Sequence, residues 1–244
     1  MAPDPQDVDS DEGTLEARLP GFRYGIVLLL LLATFIVEAS AYDGAWYRVV
    51  TVALDGLTLV AAFLASGVNR HLMRVAWVVA ILAFVAAVVA AANDTASTGA
   101  VFAILSFLLV IAAPVVIARA IIRRGVVDIH TVLGALCIYV MLGMLWAFLY
   151  GSIGASISEP FFAQTRTASS ADYLYFSFVT LTTTGYGDFT AATGLGRAVA
   201  VLEALSGQLY LVTIVALLVA RMATSAMPRL REKEDAPAAP PDPE

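Results

Sequence analysis

Six long apolar segments constrain the fold of this chain more than any other feature of its sequence. They lie at about 24–40, 49–67, 75–92, 99–122, 129–151 and 195–222. Each is long enough to cross a bilayer as a helix, which takes roughly 17 to 25 residues. Charged residues make up only 14% of the chain, whereas a soluble globular domain has about 25%. The pattern predicts an all-α membrane protein with six transmembrane helices, in contact with membrane lipid.

The two ends of the chain differ in character from the apolar part. Residues 1–22 and 226–244 are rich in acidic residues and prolines and poor in large apolar side chains, which predicts disordered tails. The net charge of −6 and the lack of a basic patch argue against a nucleic-acid partner. The single cysteine, Cys137, lies in an apolar segment and has no partner for an intrachain disulfide. No catalytic or metal-ligand spacing is found, so we predict neither an enzyme nor a cofactor.

Lysine and arginine in the short loops predict the orientation. If both termini are cytoplasmic, eleven of the fourteen basic residues lie inside, as the positive-inside rule requires. Only Arg48, Arg166 and Arg197 then lie outside. We therefore expect a multi-pass protein of the plasma (inner) membrane with both termini in the cytoplasm.

A short aromatic segment at 171–182 precedes the sequence Thr-Thr-Gly-Tyr-Gly-Asp at 183–188. The segment is too short to span a bilayer, so we predict a re-entrant helix, capped by Ser169 or Ser170 with Asp172 near its N-terminus. Gly185 and Gly187 lack the Cβ atom that restricts backbone angles. A backbone of this kind can point successive carbonyls inward and replace the hydration shell of a cation. The predicted orientation makes this loop enter the membrane from outside.

From Asp172 through Met222 the chain resembles the pore module of tetrameric potassium channels. With the fifth apolar segment ahead of it, the resemblance implies a pore domain at 125–225, with a pore helix at 171–182 and an inner helix at 195–222. The four apolar segments before it predict a separate four-helix transmembrane domain at 23–124. K⁺ would be the permeant ion. Because one chain carries one filter loop, the resemblance also implies a homotetramer. The residues that it assigns to ion binding are Thr183, Thr184, Gly185, Tyr186 and Gly187, with K⁺ held chiefly at the first four.

The resemblance assigns further roles around this filter. Asp188 would lie at the outer mouth and bond Tyr175 of the pore helix, while Thr184 stands where many family members have valine. Glu203 lies inside the last apolar segment, and we predict that it bonds the re-entrant helix and steadies the filter. The alternative is a Glu203 that is protonated or faces polar residues without consequence.

The same last segment carries the predicted gating residues. Gly207 occupies the position of the family's hinge glycine, although close helix packing is an alternative explanation. A helical stripe then follows, which the resemblance places along the cavity and the inner gate; ordinary packing is again the alternative. The stripe consists of Gln208, Leu211, Val215 and Val219.

The first four helices do not have the sequence of a voltage sensor. A sensing helix needs several regularly spaced arginines within the membrane, and Leu105 to Ala118 contains none. The resemblance thus implies a potassium-selective channel that conducts passively and is not strongly voltage-gated. Two alternatives remain open: a weakly selective monovalent cation channel and a membrane sensor with a vestigial pore. A transporter subunit would carry several filter loops in one chain, and only one is present.

Overall fold

A computed structural model describes residues 22–40, 45–92, 96–123 and 129–234 of the chain. The predicted acidic tail, apart from Phe22, and the final ten residues lie outside these ranges. Within them the protein is built from helices, and its one β-bridge is an isolated pair between Phe162 and Ala191. In chain order the helices are α1 (Phe22–Ala39), α2 (Ala45–Ser66), α3 (Arg70–Ala92), α4 (Ala96–Arg123), α5 (Ile129–Ser156), α6 (Ser170–Leu181) and α7 (Gly194–Glu234).

Four helices of the described part are long and apolar enough to cross a membrane. The stretches that meet both conditions are Val49–Ser66, Arg70–Val89, Thr131–Ser156 and Gly194–Leu217. Two shorter apolar stretches, Tyr24–Ala39 and Ile111–Ile122, belong to α1 and α4. The helices match the positions of the six apolar segments, while the crossing of the membrane by all six stays a prediction.

The last helix differs from its predicted extent. The sequence pattern placed its end at Met222 and the start of a disordered tail at 226, whereas α7 continues to Glu234. Apolar content ends near 222, but the following residues Arg229 to Glu234 are strong helix formers. Extending an existing helix also avoids the unfavourable nucleation step. The helix therefore outlasts its apolar stretch.

The short helix α6 begins at a capping box. The Ser169 hydroxyl accepts a hydrogen bond from the Asp172 N–H, and the Asp172 carboxylate accepts one from the Ser169 N–H at 2.8 Å. This reciprocal pair satisfies two N–H groups that the first turn leaves without helical partners. Of the two serines predicted as caps, the cap is Ser169. Its position sets the register of the residues that follow α6.

The first four helices pack onto α5 and α6 through one apolar core. Helix α1 lies against α2, α5 and α6, and α4 lies against α2, α3 and α5. The core that joins them is lined by buried side chains such as Val27, Leu59, Ile117 and Met141. At its edge the Phe35 ring of α1 meets the Phe178 ring of α6 edge-on, with 5.0 Å between ring centroids. Of the first four helices, α1 thus contacts α6.

A second, aromatic core holds the loop between α5 and α6. Phe161 and Phe162 are buried against Tyr150 and Phe176, with ring centroids about 5 to 6 Å apart. Edge-to-face aromatic pairs contribute about 0.5–1.5 kcal/mol beyond the area that they bury. This core fixes the C-terminal part of α5 relative to α6.

Candidate functional site

Backbone hydrogen bonds to the last turns of α6 hold the chain as it leaves this helix. The Thr182 N–H donates to Phe178 O at 3.0 Å, as in a regular helix. The N–H groups of Thr184 and Gly185 depart from the helical pattern: both donate to Val179 O, at 2.9 and 3.2 Å. One carbonyl of α6 therefore anchors the start of the segment 183–188.

The segment 183–188 alternates in backbone handedness. Positive φ angles occur at every second residue: 56° at Thr183, 58° at Gly185 and 79° at Gly187. In such an alternating stretch successive N–H groups turn to one side. Each trans peptide places its carbonyl opposite its N–H, so the carbonyls turn to the other side. The conformation is the one a line of carbonyl ligands requires.

Thr183 adopts a left-handed conformation that residues with a Cβ rarely take. A non-glycine residue in this region costs about 1–2 kcal/mol, and such strain persists only where the surroundings enforce it. Among the described residues Thr183 is the sole non-glycine residue with positive φ. The strain therefore lies at the innermost of the predicted ligand positions.

The side chain of Thr184 has a polar partner. Its hydroxyl lies 2.8 Å from the Thr182 hydroxyl, which in turn donates to Phe178 O at 2.6 Å. Since Thr182 uses its one hydrogen on that carbonyl, Thr184 is the donor to Thr182. Thr184 thus ties the segment back to α6 by a bond that valine could not make.

At the far end of the segment, Asp188 is fixed by two hydrogen bonds. The Tyr175 hydroxyl donates to Asp188 Oδ2 at 2.7 Å, and the Phe189 N–H donates to Oδ1 at 3.1 Å. The ordinary pKa of a tyrosine phenol is about 10, so Tyr175 is a donor at neutral pH. This is the pairing that the resemblance implies for these residues.

A loop clamp holds the chain after Asp188. Ala163 N–H donates to Thr190 O at 2.9 Å, and the Gln164 side-chain amide bonds both the N–H and the hydroxyl of Thr190. From the start of α7, the Arg197 guanidinium donates to Ala191 O at 3.0 Å. The segment is thus anchored on both sides, by α6 before it and by the loop and α7 after it.

The helix α7 reaches the inner end of the segment through Gln208. Its side-chain amide donates to the Thr183 hydroxyl at 3.2 Å. Leu211 and Val215 lie further along the same helix and are exposed in the single chain. The Val219 side chain falls outside the part of the chain whose side chains are described. The predicted cavity role of this stripe stays a prediction.

Gly207 packs closely against the end of α6. A Cβ atom at this position would lie 2.5 Å from Leu181 O and 2.8 Å from Leu181 Cδ1. Real Cβ atoms essentially never approach that closely, so a side chain here requires the backbone of α6 or α7 to move. This contact is the close packing that the sequence left open as the alternative to a hinge.

Glu203 lies at the centre of a buried polar cluster. Its side chain is fully buried, and its carboxyl group contacts the hydroxyls of Tyr150 on α5 and Ser177 on α6. The Ser177 hydroxyl also lies 2.7 Å from Gly143 O on α5. The carboxyl group therefore joins α5, α6 and α7. Its effect on the filter stays a prediction.

Several residues of this site were not singled out from the sequence. They are Tyr150, Ser177, Gln164 and Arg197, together with Ser206, whose hydroxyl accepts a hydrogen bond from Trp146 Nε1 at 3.2 Å. A polar side chain within an apolar helix needs a partner, and that signal was available for Tyr150 and Ser177. The sequence does not say which partner each one has.

Residues 132–224 match the model of a family described as "Ion channel". The matched stretch covers well under half of the chain; it starts in α5 and ends in α7, so it includes the segment 183–188 and its anchors. No curated protein and no solved structure matches the chain. With the apolar spans, the match supports an ion channel in an integral membrane protein, and a transport function in place of an enzymatic one.

Proposed function

We propose that the protein is a potassium-selective channel that conducts K⁺ passively through a pore shared by four copies. The observation that carries the proposal is the alternating handedness of the segment 183–188 immediately after a capped re-entrant helix. It turns the carbonyls to one side, and carbonyl oxygens are the ligands that replace the hydration shell of K⁺.

In this mechanism the chain's own groups hold the ligand line in place. The carbonyls of Thr183, Thr184, Gly185 and Tyr186 coordinate the ion, and the Thr183 hydroxyl completes the innermost position. The bond between Tyr175 and Asp188 and the shared bonds to Val179 O fix the two ends. Gly187 supplies the last left-handed residue before the outer mouth.

The exposure of the filter segment supports the assembly of several copies. In one chain Tyr186 is 72% exposed, and the residues on both sides of it are exposed as well. Two grooves flank the segment: one of about 490 Å³ beside Phe35 and Phe178, and one of about 310 Å³ beside Phe189 and Arg197. Neighbouring copies in a closed fourfold ring would cover these surfaces and bring four carbonyl lines together.

The orientation follows from the charge distribution along the chain. With eleven of fourteen basic residues on the cytoplasmic side, both termini are cytoplasmic and the outer mouth at Asp188 faces outward. The plasma (inner) membrane is the location we propose.

The test is ion flux after reconstitution into liposomes with a potassium gradient and an opposing sodium gradient. We expect potassium-selective flux that is lost in the double variant Gly185→Ala/Tyr186→Ala, because a Cβ at φ 58° strains the ligand line. Gly194→Ala is the matched control, since a Cβ there meets no atom within 4 Å. Equal sodium and potassium flux would favour a weakly selective cation channel, and absence of flux under all conditions would favour a sensor with a vestigial pore.

A further inference from the structure

The single hydrogen of the Ser177 hydroxyl determines the protonation state of Glu203. A serine hydroxyl carries one hydrogen, and a backbone carbonyl can only accept. Ser177 Oγ lies 2.7 Å from Gly143 O and also contacts Glu203 Oε1. If Ser177 donates to Gly143 O, the hydrogen between Ser177 and Glu203 has to come from the carboxyl group.

The second contact of the carboxyl group agrees with this count. The Tyr150 hydroxyl has one hydrogen and contacts Glu203 Oε2, so Tyr150 donates there and Oε1 is left to carry the acid hydrogen. Every hydroxyl in the cluster then has one acceptor. An ionised Glu203 would instead draw the Ser177 hydrogen to itself and remove the bond to Gly143 O.

The surroundings of the carboxyl group also favour the neutral form. Among the described residues, the groups in contact with it are the two neutral hydroxyls, and the Tyr139 phenol of α5, which donates to Leu181 O, is near enough to interact with it electrostatically. Burying an ionised carboxylate without a cationic partner is strongly unfavourable. None of these three facing groups is a cation at neutral pH.

We propose that Glu203 is kept as a neutral carboxylic acid and relays a directed chain of hydrogen bonds from Tyr150 through Ser177 to Gly143 O. This makes Ser177 a positioning residue for α6. It lies two residues before Val179, whose carbonyl anchors Thr184 and Gly185. The functional part of the inference rests on the proposed channel function.

Infrared difference spectroscopy tests the protonation directly and needs no ion flux. We expect the wild-type protein to absorb at the carbonyl stretch of a protonated carboxylic acid, and this band to be lost in Glu203→Gln. The exposed acid Glu159 supplies the control, because Glu159→Gln should leave the band in place. Identical bands in the wild type and Glu203→Gln would overturn the proposal.

Two further variants test the direction of the chain and do not require Glu203→Gln to assemble. Ser177→Ala removes the acceptor of the acid hydrogen, and Tyr150→Phe removes the donor to Oε2. Each should shift the same band to higher frequency, since the carboxyl group loses one hydrogen bond. An unshifted band in both variants would show that the carboxyl group does not bond them, and the directed chain would be refuted.

The functional consequence is a difference between variants in their response to pH. Glutamine can donate its amide hydrogen to Ser177 and accept from Tyr150 without titrating, so the flux through Glu203→Gln, taken relative to its own value at neutral pH, should not change as the pH is raised. When alkaline pH removes the acid hydrogen, wild-type flux should fall while flux through Glu203→Gln stays level. A parallel fall in both would overturn this consequence. Absence of flux in every variant defeats the channel function, and the infrared bands still decide the state of Glu203.

Discussion

Gly207 illustrates how a single hydrogen atom in place of a side chain decides the approach of two helices. A Cβ at position 207 would meet Leu181 O at 2.5 Å. Leu181 is the last residue of α6 and stands two residues before the segment 183–188. A side chain at this position would therefore displace the backbone from which the proposed carbonyl ligands follow, whatever its effect on bending of α7.

We predict that Gly207→Ala destabilises the assembled protein by about 1–3 kcal/mol, the usual cost of overpacking a well-packed contact, and lowers potassium flux. The measurement is the unfolding midpoint in detergent together with liposome flux. Gly194→Ala on the same helix is the control, as its Cβ has open space. Unchanged stability in Gly207→Ala would mean that the contact with Leu181 yields without cost.

A second prediction concerns the hydroxyl of Thr184. Thr184→Val removes the bond to Thr182 but keeps the backbone carbonyl, so we expect potassium selectivity to be retained. Stability should fall by about 0.5–1.5 kcal/mol, the typical net contribution of one hydrogen bond. The potassium-to-sodium flux ratio and the unfolding midpoint check the two parts separately. A large loss of selectivity would show that the side chain, and not only the backbone, shapes the ion site.

At the scale of elements, the clamp between the loop at 157–169 and the chain after Asp188 is held by backbone pairing and one side chain. Gln164 makes bonds of 2.8 and 3.0 Å to Thr190, and both residues are exposed. These two hydrogen bonds therefore contribute little to the free energy of unfolding of the whole protein. They directly oppose local opening of the chain at Thr190.

We predict that Gln164→Ala accelerates amide hydrogen exchange at Thr190, because its N–H loses its acceptor. The amide of Ala192, which donates to Phe161 O at 2.8 Å, should exchange at its original rate and serves as the internal control. Equal acceleration at both amides would contradict a local effect and indicate that the whole loop had opened.

The elements themselves could be predicted because their signals are local. Apolar length marks the spans, and Ser169 followed three residues later by Asp172 marks the start of α6. The contacts of the site could not be predicted, because they join residues far apart in the chain. Ser177 and Glu203 are 26 residues apart and Tyr150 and Glu203 are 53 apart. Which helix faces meet depends on the packing of all the helices, and no short stretch of sequence encodes it.

The C-terminal end of α7 differs from its predicted position for another reason. Apolar length marks a membrane span and not the end of a helix.

At the scale of the whole molecule, we predict that the purified protein contains four chains of 25.8 kDa. Light scattering with a correction for bound detergent measures the protein mass. The segment 183–188 and apolar residues of α7 such as Leu205 and Leu209 are exposed in one chain, and a closed ring of four copies would cover the segment and part of α7. A monomeric mass in a preparation that conducts potassium would contradict the shared pore.

We also predict little dependence of the current on voltage. Within the described part of α4, Arg119 lies near the end of the helix, where its charge crosses little of the membrane field. Currents in planar bilayers should therefore be similar in shape for the wild type and Arg119→Gln. A steep voltage dependence that disappears in Arg119→Gln would show that this residue senses the field.

The edge-on contact between Phe35 and Phe178 bears on how far the chain can be shortened. The Phe178 ring also fills the space beside Gly143, where a Cβ would come within 2.6 Å of its Cζ atom. The Phe178 side chain of α6 thus lies between Phe35 of α1 and Gly143 of α5. A shortened chain of residues 129–234 would lack Phe35 and leave one side of the Phe178 ring without its packing partner. We therefore do not expect this part to pack on its own as it does in the full chain. Shortening the chain would call for a smaller or more polar residue in place of Phe178, because Gly143 leaves no room beside its ring for a larger side chain on α5.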